Sequence, residues 1–168
     1  MFRSPDGKQL VMLARSQSHM NKSTIAFSDD EGETWSKPRE VQGSLNGERH
    51  KISYDPISGR LLITFREIIL DYNNNGVIEN NDWMAGEWIA WVGTYEDLVN
   101  GNEGEYRIKL ADDFTPSTKS GDCGYAGNVV LPDGTFVLNS YGNWDVNDKS
   151  NKPYIIATRF KLGEIDNA

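Results

Sequence analysis

Apolar and polar residues alternate along this chain in short bursts, which predicts β-strands joined by turns. No segment holds a helical period for long. Strand-like runs occupy residues 9–14, 24–27, 61–65, 88–92, 135–139 and 154–160. Three turn signals precede alternate runs: Pro5-Asp6-Gly7, Asp55-Pro56-Ile57-Ser58-Gly59 and Pro132-Asp133-Gly134. Each turn and its strand are followed by a second apolar strand, so one unit recurs three times, over roughly 1–46, 47–111 and 112–168. Such recurrence predicts an all-β repeat fold.

The stretch Ser28-Asp29-Asp30-Glu31-Gly32-Glu33-Thr34-Trp35 is the most sharply defined turn. An aspartate at position 30 can accept from backbone amides two residues on, Gly32 supplies a positive φ, and Trp35 can fold back over the loop. Residues 24–27 and 36–41 read as the strands it joins.

Aligning the units on their glycines gives a register. Arg15 follows Gly7 by eight residues, Arg66 follows Gly59 by seven, and Tyr141 follows Gly134 by seven. These three should end equivalent strands at one face. His50 and Tyr125, each nine residues before its glycine, should also be equivalent. Polar side chains repeated at one face can build a binding funnel; the plainer alternative is solvated strand ends. His50 has two readings as well, an acid or base near neutral pH or a histidine bonded within its own sheet.

The chain has 168 residues, enough for one sizeable core, with 17 basic against 25 acidic residues and a formal charge of −8. That balance, without any basic run, argues against a nucleic-acid or anionic-membrane partner. Five Trp and seven Tyr suit sheet cores and sugar-stacking surfaces alike. Cys123 is the lone cysteine, which excludes an internal disulfide framework. No apolar run reaches membrane-spanning length, and residues 1–6 do not read as a signal peptide. The chain opens on a mid-unit turn, so a longer parent with an N-terminal part, including any export signal, is expected.

The motif S-x-D-x-G-x-T-W at 28–35 resembles the Asp-box of sialidase-like β-propellers. That resemblance implies an all-β propeller of which about three blades are present, as its C-terminal half. Missing blades or a second chain would complete the ring, since known rings use roughly four to eight blades. The segment Asp122-Cys123-Gly124-Tyr125 resembles the strand carrying the sialidase nucleophile, which puts that role on Tyr125. Gly47-Glu48-Arg49-His50 with Phe65-Arg66 resembles the blade carrying its glutamate partner and a clamp arginine.

The resemblance thus implies Tyr125 as nucleophile, Glu48 as its partner and Arg66 in the anion clamp. The expected set adds His50, which is not part of the ordinary sialidase set, for catalysis, and Arg15, Arg49, Tyr141 and Trp88 on the substrate. A phenol with a pKa near 10 needs a carboxylate to take its proton, and arginines bind a sugar carboxylate bidentately. The chain departs from the pattern in carrying no arginine between Arg66 and Arg107. The implied function is an exo-sialidase-type glycoside hydrolase acting on terminal acidic sugars, secreted or periplasmic, with no cofactor for catalysis. A non-catalytic glycan-binding propeller, or a related lyase or hydrolase with a His/Tyr site, is the alternative.

A second motif lies at 71–82, within an insertion at 67–87. Asp71, Asn73, Asn75, the Val77 carbonyl, Glu79 and Asp82 fit the spacing of a calcium loop, with Gly76 at the sharp turn. The plainer reading is an Asn-rich surface loop with no metal. Calcium would be structural, ordering the insertion. Trp83, Trp88 and Trp91 flank it and can serve sugar or core.

Overall fold

A computed structural model describes residues 1–115, 121–148, 150 and 152–167. Its strands form three antiparallel meanders. The first sheet joins β1 (Phe2–Arg3), β2 (Leu10–Ala14), β3 (Thr24–Ser28) and β4 (Arg39–Glu40). The second joins β5 (Gly47–Tyr54), β6 (Leu61–Leu70), β7 (Trp83–Gly93) and β8 (Tyr106–Ala111). The third joins β9 (Gly127–Val130), β10 (Phe136–Gly142) and β11 (Tyr154–Phe160). Each sheet falls within one of the three repeat units. Two short helices, α1 (Tyr95–Asn100) and α2 (Leu162–Ile165), complete the elements. Neither is long and apolar enough to cross a membrane.

The second sheet explains the packing. Along β6 and β7 successive side chains point to opposite faces, and both faces are buried. Leu61, Ile63, Phe65, Ile89 and Trp91 pack with Val11 and Ile25 of the first sheet. Leu62, Trp88, Ala90 and Val92 pack with Phe136 and Leu138 of the third. A sheet covered on both sides reads as an unbroken apolar run, and Leu61-Leu62-Ile63-Thr64-Phe65 is one.

Trp88 and Trp91 are both sealed from solvent. The expectation that Trp88 contacts substrate is therefore corrected: its indole fills the core between the second and third sheets, tilted against Trp144.

The 28–35 turn links β3 to β4 through side-chain bonds. Asp30 accepts from the Thr34 amide at 2.8 Å and from the Ser28 hydroxyl at 2.8 Å. Ser28 in turn accepts from the Gly32 amide at 2.9 Å, and the Trp35 indole donates to the Gly32 carbonyl at 3.1 Å. Gly32 has a φ of 92°, a backbone state open chiefly to glycine. These hydroxyl and amide donors hold the Asp30 carboxyl down at about 2.

Several boundaries differ from the sequence expectation, among them the end of β10, which runs on to Gly142. The strand expected over 36–41 narrows to Arg39–Glu40. β6 and β7 run on to pair Leu70 with Trp83, so the insertion is a long hairpin whose irregular tip is only 71–82. Residues 83–87 hide this because Met84-Ala85-Gly86-Glu87 lack alternation.

Candidate functional site

The site grows from one cross-strand pair. Glu48 on β5 stands opposite Arg66 on β6, and Arg66 Nη2 donates to Glu48 Oε2. Immediately after Glu48 the register slips, so that Arg49 and His50 face only Phe65. This bulge puts Arg49 at a φ of 64° and re-aims the side chains that follow.

Glu48 is only 2% exposed, yet both its oxygens are occupied. Oε1 accepts from His19 Nε2 at 2.9 Å, and Oε2 faces Arg66 and, at 3.6 Å, Arg15 Nη1. Burial pushes its pKa up, but the bonds from His19 and Arg66 and the two guanidinium charges outweigh burial and leave it lowered. Glu48 is thus a buried carboxylate anchoring three cationic or polar groups.

Arg66 is equally committed, since its Nη1 donates to the Gly121 carbonyl. The segment after it passes close to β6: a side chain on Gly124 would put its Cβ 3.0 Å from Arg66 Cβ, and Gly124 has a φ of 95°. Arg15, just past β2, keeps 44% of its side chain exposed. It looks into a cleft of about 640 Å³ lined also by Gln17, Ser18, His19, Met20, Asn80, Asn81 and Trp83. The Trp83 ring stacks on His19, with centroids 3.7 Å apart and planes 21° apart.

A second cluster adjoins the first through Arg49. Its Nη1 donates to the Cys123 carbonyl, to Tyr141 Oη at 3.0 Å and faces Asp122 Oδ1 at 3.4 Å. Tyr141 donates to the same Asp122 oxygen at 2.7 Å. Burial, then the bond to Asp122, raises the Tyr141 pKa, and the Arg49 charge opposes them. Tyr125 lays its ring over Arg49, 4.2 Å from the guanidinium carbon, and is 62% exposed. Burial pushes the Cys123 thiol up to about 12, which makes it core and leaves it unreactive.

The placement corrects two expectations. Tyr125 does not pair with Glu48; among the described residues no hydrogen bond joins them, because Glu48 spends both oxygens on His19 and the arginines. In this cluster the tyrosine bonded to a carboxylate is Tyr141, and its carboxylate is Asp122. His50 also stands apart from the cleft. It stacks on Phe65 and donates from Nε2 to the Leu45 carbonyl at 3.0 Å, and burial lowers its pKa to about 4.

Arg15 and Arg66, which the repeat register set at one face, converge on Glu48, while Tyr141, the third residue of that register, stands in the second cluster. Trp83, one of the three tryptophans open to sugar or core, lines the cleft, and His19 was missed. No spacing marks His19, although it follows Arg15 in the same loop; its φ of 54° appears only in three dimensions.

At the hairpin tip, Asp71 accepts from the Asn75 and Gly76 amides at 2.8 Å each, and Asn73 Oδ1 accepts from Asn75 at 3.1 Å. Asp82 Oδ1 accepts from the Asn73 amide at 3.0 Å, while its Oδ2 is buried without a partner. Among the described residues no group of three or more His, Cys, Asp or Glu is gathered to hold a metal ion.

Comparison with protein-family models, with curated proteins and with solved structures gives no match.

Proposed function

We propose that this chain is a glycoside hydrolase-like protein of the sialidase-like β-propeller class, acting on terminal acidic sugars of glycans. The three face-packed meanders and the hydrogen-bonded 28–35 turn support the propeller reading. The observation that carries the ligand class is the charge of the cleft. Glu48 is one carboxylate set against two guanidinium groups, and Arg15 remains exposed in the cleft. In a chain of net charge −8 this local excess favours an anion. The Asn and Gln side chains match sugar hydroxyls, and Trp83 adds an aromatic wall.

Titration calorimetry with N-acetylneuraminic acid, glucuronic acid and galactose tests the reading. Binding of an acidic sugar, weakened about ten- to a hundredfold by Arg15→Ala, supports it. Equal binding of galactose, or no effect of Arg15→Ala, overturns it.

A non-catalytic binder is the second reading, and it is favoured by the exposure of Tyr125, which bonds no carboxylate among the described residues. The pair Tyr141–Asp122 decides between them. In a hydrolase using that pair, Tyr141→Phe abolishes turnover and spares binding; in a binder there is no turnover to lose.

The same reading takes the 71–82 loop as a structural calcium site in a secreted or periplasmic protein. Asp71, Asn73, Asn75, the Val77 carbonyl, Glu79 and Asp82 would hold the ion. The turn bonds around Asp71 and the orphaned Asp82 Oδ2 support the fit. Calcium there supplies rigidity and takes no part in bond breaking.

A further inference from the structure

We propose that His19 is the proton-transfer group of the Arg15 cleft; this rests on the hydrolase reading above. Three features set this imidazole apart from a solvated loop histidine. It is 9% exposed yet lines the cleft. Its Nε2 is held by a buried carboxylate, Glu48, at 2.9 Å. Its ring is clamped face to face by Trp83 at 3.7 Å. Its backbone has a φ of 54°, a left-handed state uncommon among residues other than glycine.

The chemistry follows from the hydrogen bond. An ionised carboxylate only accepts, so Nε2 carries hydrogen and Nδ1 is the nitrogen left to exchange a proton with a ligand. Glu48 fixes the tautomer and balances the charge when the ring is protonated, as a carboxylate does for a catalytic imidazole. The bonds from His19 and Arg66 and the charges of Arg66 and Arg15 keep Glu48 ionised, so it remains an acceptor for Nε2–H.

With a sugar carboxylate at Arg15, protonated His19 gives its Nδ1 proton to the glycosidic oxygen. The bond from that oxygen to the anomeric carbon breaks, and the electron pair leaves with the departing alcohol. Water then attacks the anomeric carbon, and neutral Nδ1 takes up the proton that water releases. The net change is hydrolysis, with His19 restored.

Two aryl glycosides of N-acetylneuraminic acid test this, one with a phenyl and one with a 4-nitrophenyl leaving group. The poorer leaving group needs protonation and the better one does not. His19→Ala and His19→Gln should each lose about a hundredfold or more on the phenyl glycoside and less than about tenfold on the nitrophenyl one. Added imidazole should restore the phenyl reaction of His19→Ala. Gln keeps a donor to Glu48, so recovery of both reactions in His19→Gln makes His19 a mere prop and overturns the proposal. Equal losses on both glycosides without imidazole rescue overturn it too. A wild-type chain that cleaves neither glycoside overturns the hydrolase reading itself, and the proposal with it.

Discussion

Glu48 is the residue on which the site turns, and its substitution separates charge from shape. Removing it leaves Arg66 buried with, among the described residues, the Gly121 carbonyl as the remaining partner of its side chain. Breaking one side of a buried pair costs about 3–5 kcal/mol, so Glu48→Ala should lower stability by that amount in urea unfolding. Glu48→Gln keeps the volume and an acceptor and should cost less, while still freeing His19. Equal stability of Glu48→Ala and wild type would remove Glu48 as the anchor. At this scale the sequence was legible where a repeat offset fixed a strand end, as for Arg15 and Arg66. It was misleading for Trp88, because alternation cannot tell which face of a doubly covered sheet meets solvent. It was silent on His19 and on the Tyr141–Asp122 bond, which depend on loops meeting across 29 and 19 residues of sequence.

Elements divide into those held by their own side chains and those held by neighbours. The 28–35 turn belongs to the first group, and for that reason the roles of Asp30, Gly32 and Trp35 could be anticipated from the sequence alone, though the Ser28 and Thr34 hydroxyl bonds were not. Asp30→Ala removes acceptors for Ser28 and Thr34 and should lower the melting temperature by a few degrees, leaving acidic-sugar binding unchanged. A change in that binding would tie the turn to the cleft. The hairpin of β6 and β7 belongs to the second group: its length comes from strand pairing up to Leu70 and Trp83. Its tip nevertheless reaches the cleft through Asn80, Asn81 and Trp83. If the tip holds calcium, millimolar calcium should raise the melting temperature and should cease to do so in Asp82→Ala. No response in the wild type would return the loop to a plain Asn-rich hairpin. The bulge after Glu48 was not legible, since nothing in Gly47-Glu48-Arg49-His50 marks an extra residue; only the register against β6 reveals it.

The whole molecule should respond to acid in two stages, because its buried histidine and its paired carboxylates titrate in different windows. His50 has an ordinary value of 6.5, and burial brings it down to about 4 in the folded chain. The folded state therefore excludes a proton that the unfolded chain accepts below about pH 6.5, so His50 favours folding fully only above that value. As pH falls from about 6.5 to 4, stability should drop, by an amount that a shift of this size puts at roughly 3 kcal/mol. Glu48, Asp30, Asp133 and Asp166 are lowered in the fold, so what they contribute is present above the ordinary carboxylate range and fades on further acidification. Urea unfolding at intervals from pH 7.5 to 3 should show the first decline in the wild type. In His50→Asn, whose amide takes up no proton in this range, that decline should flatten while the lower one persists. An unchanged upper decline in His50→Asn would assign it to another group. Because His50 lies outside the cleft, the same variant should still bind acidic sugars at pH 7.5, which separates the acid response of the fold from that of the site.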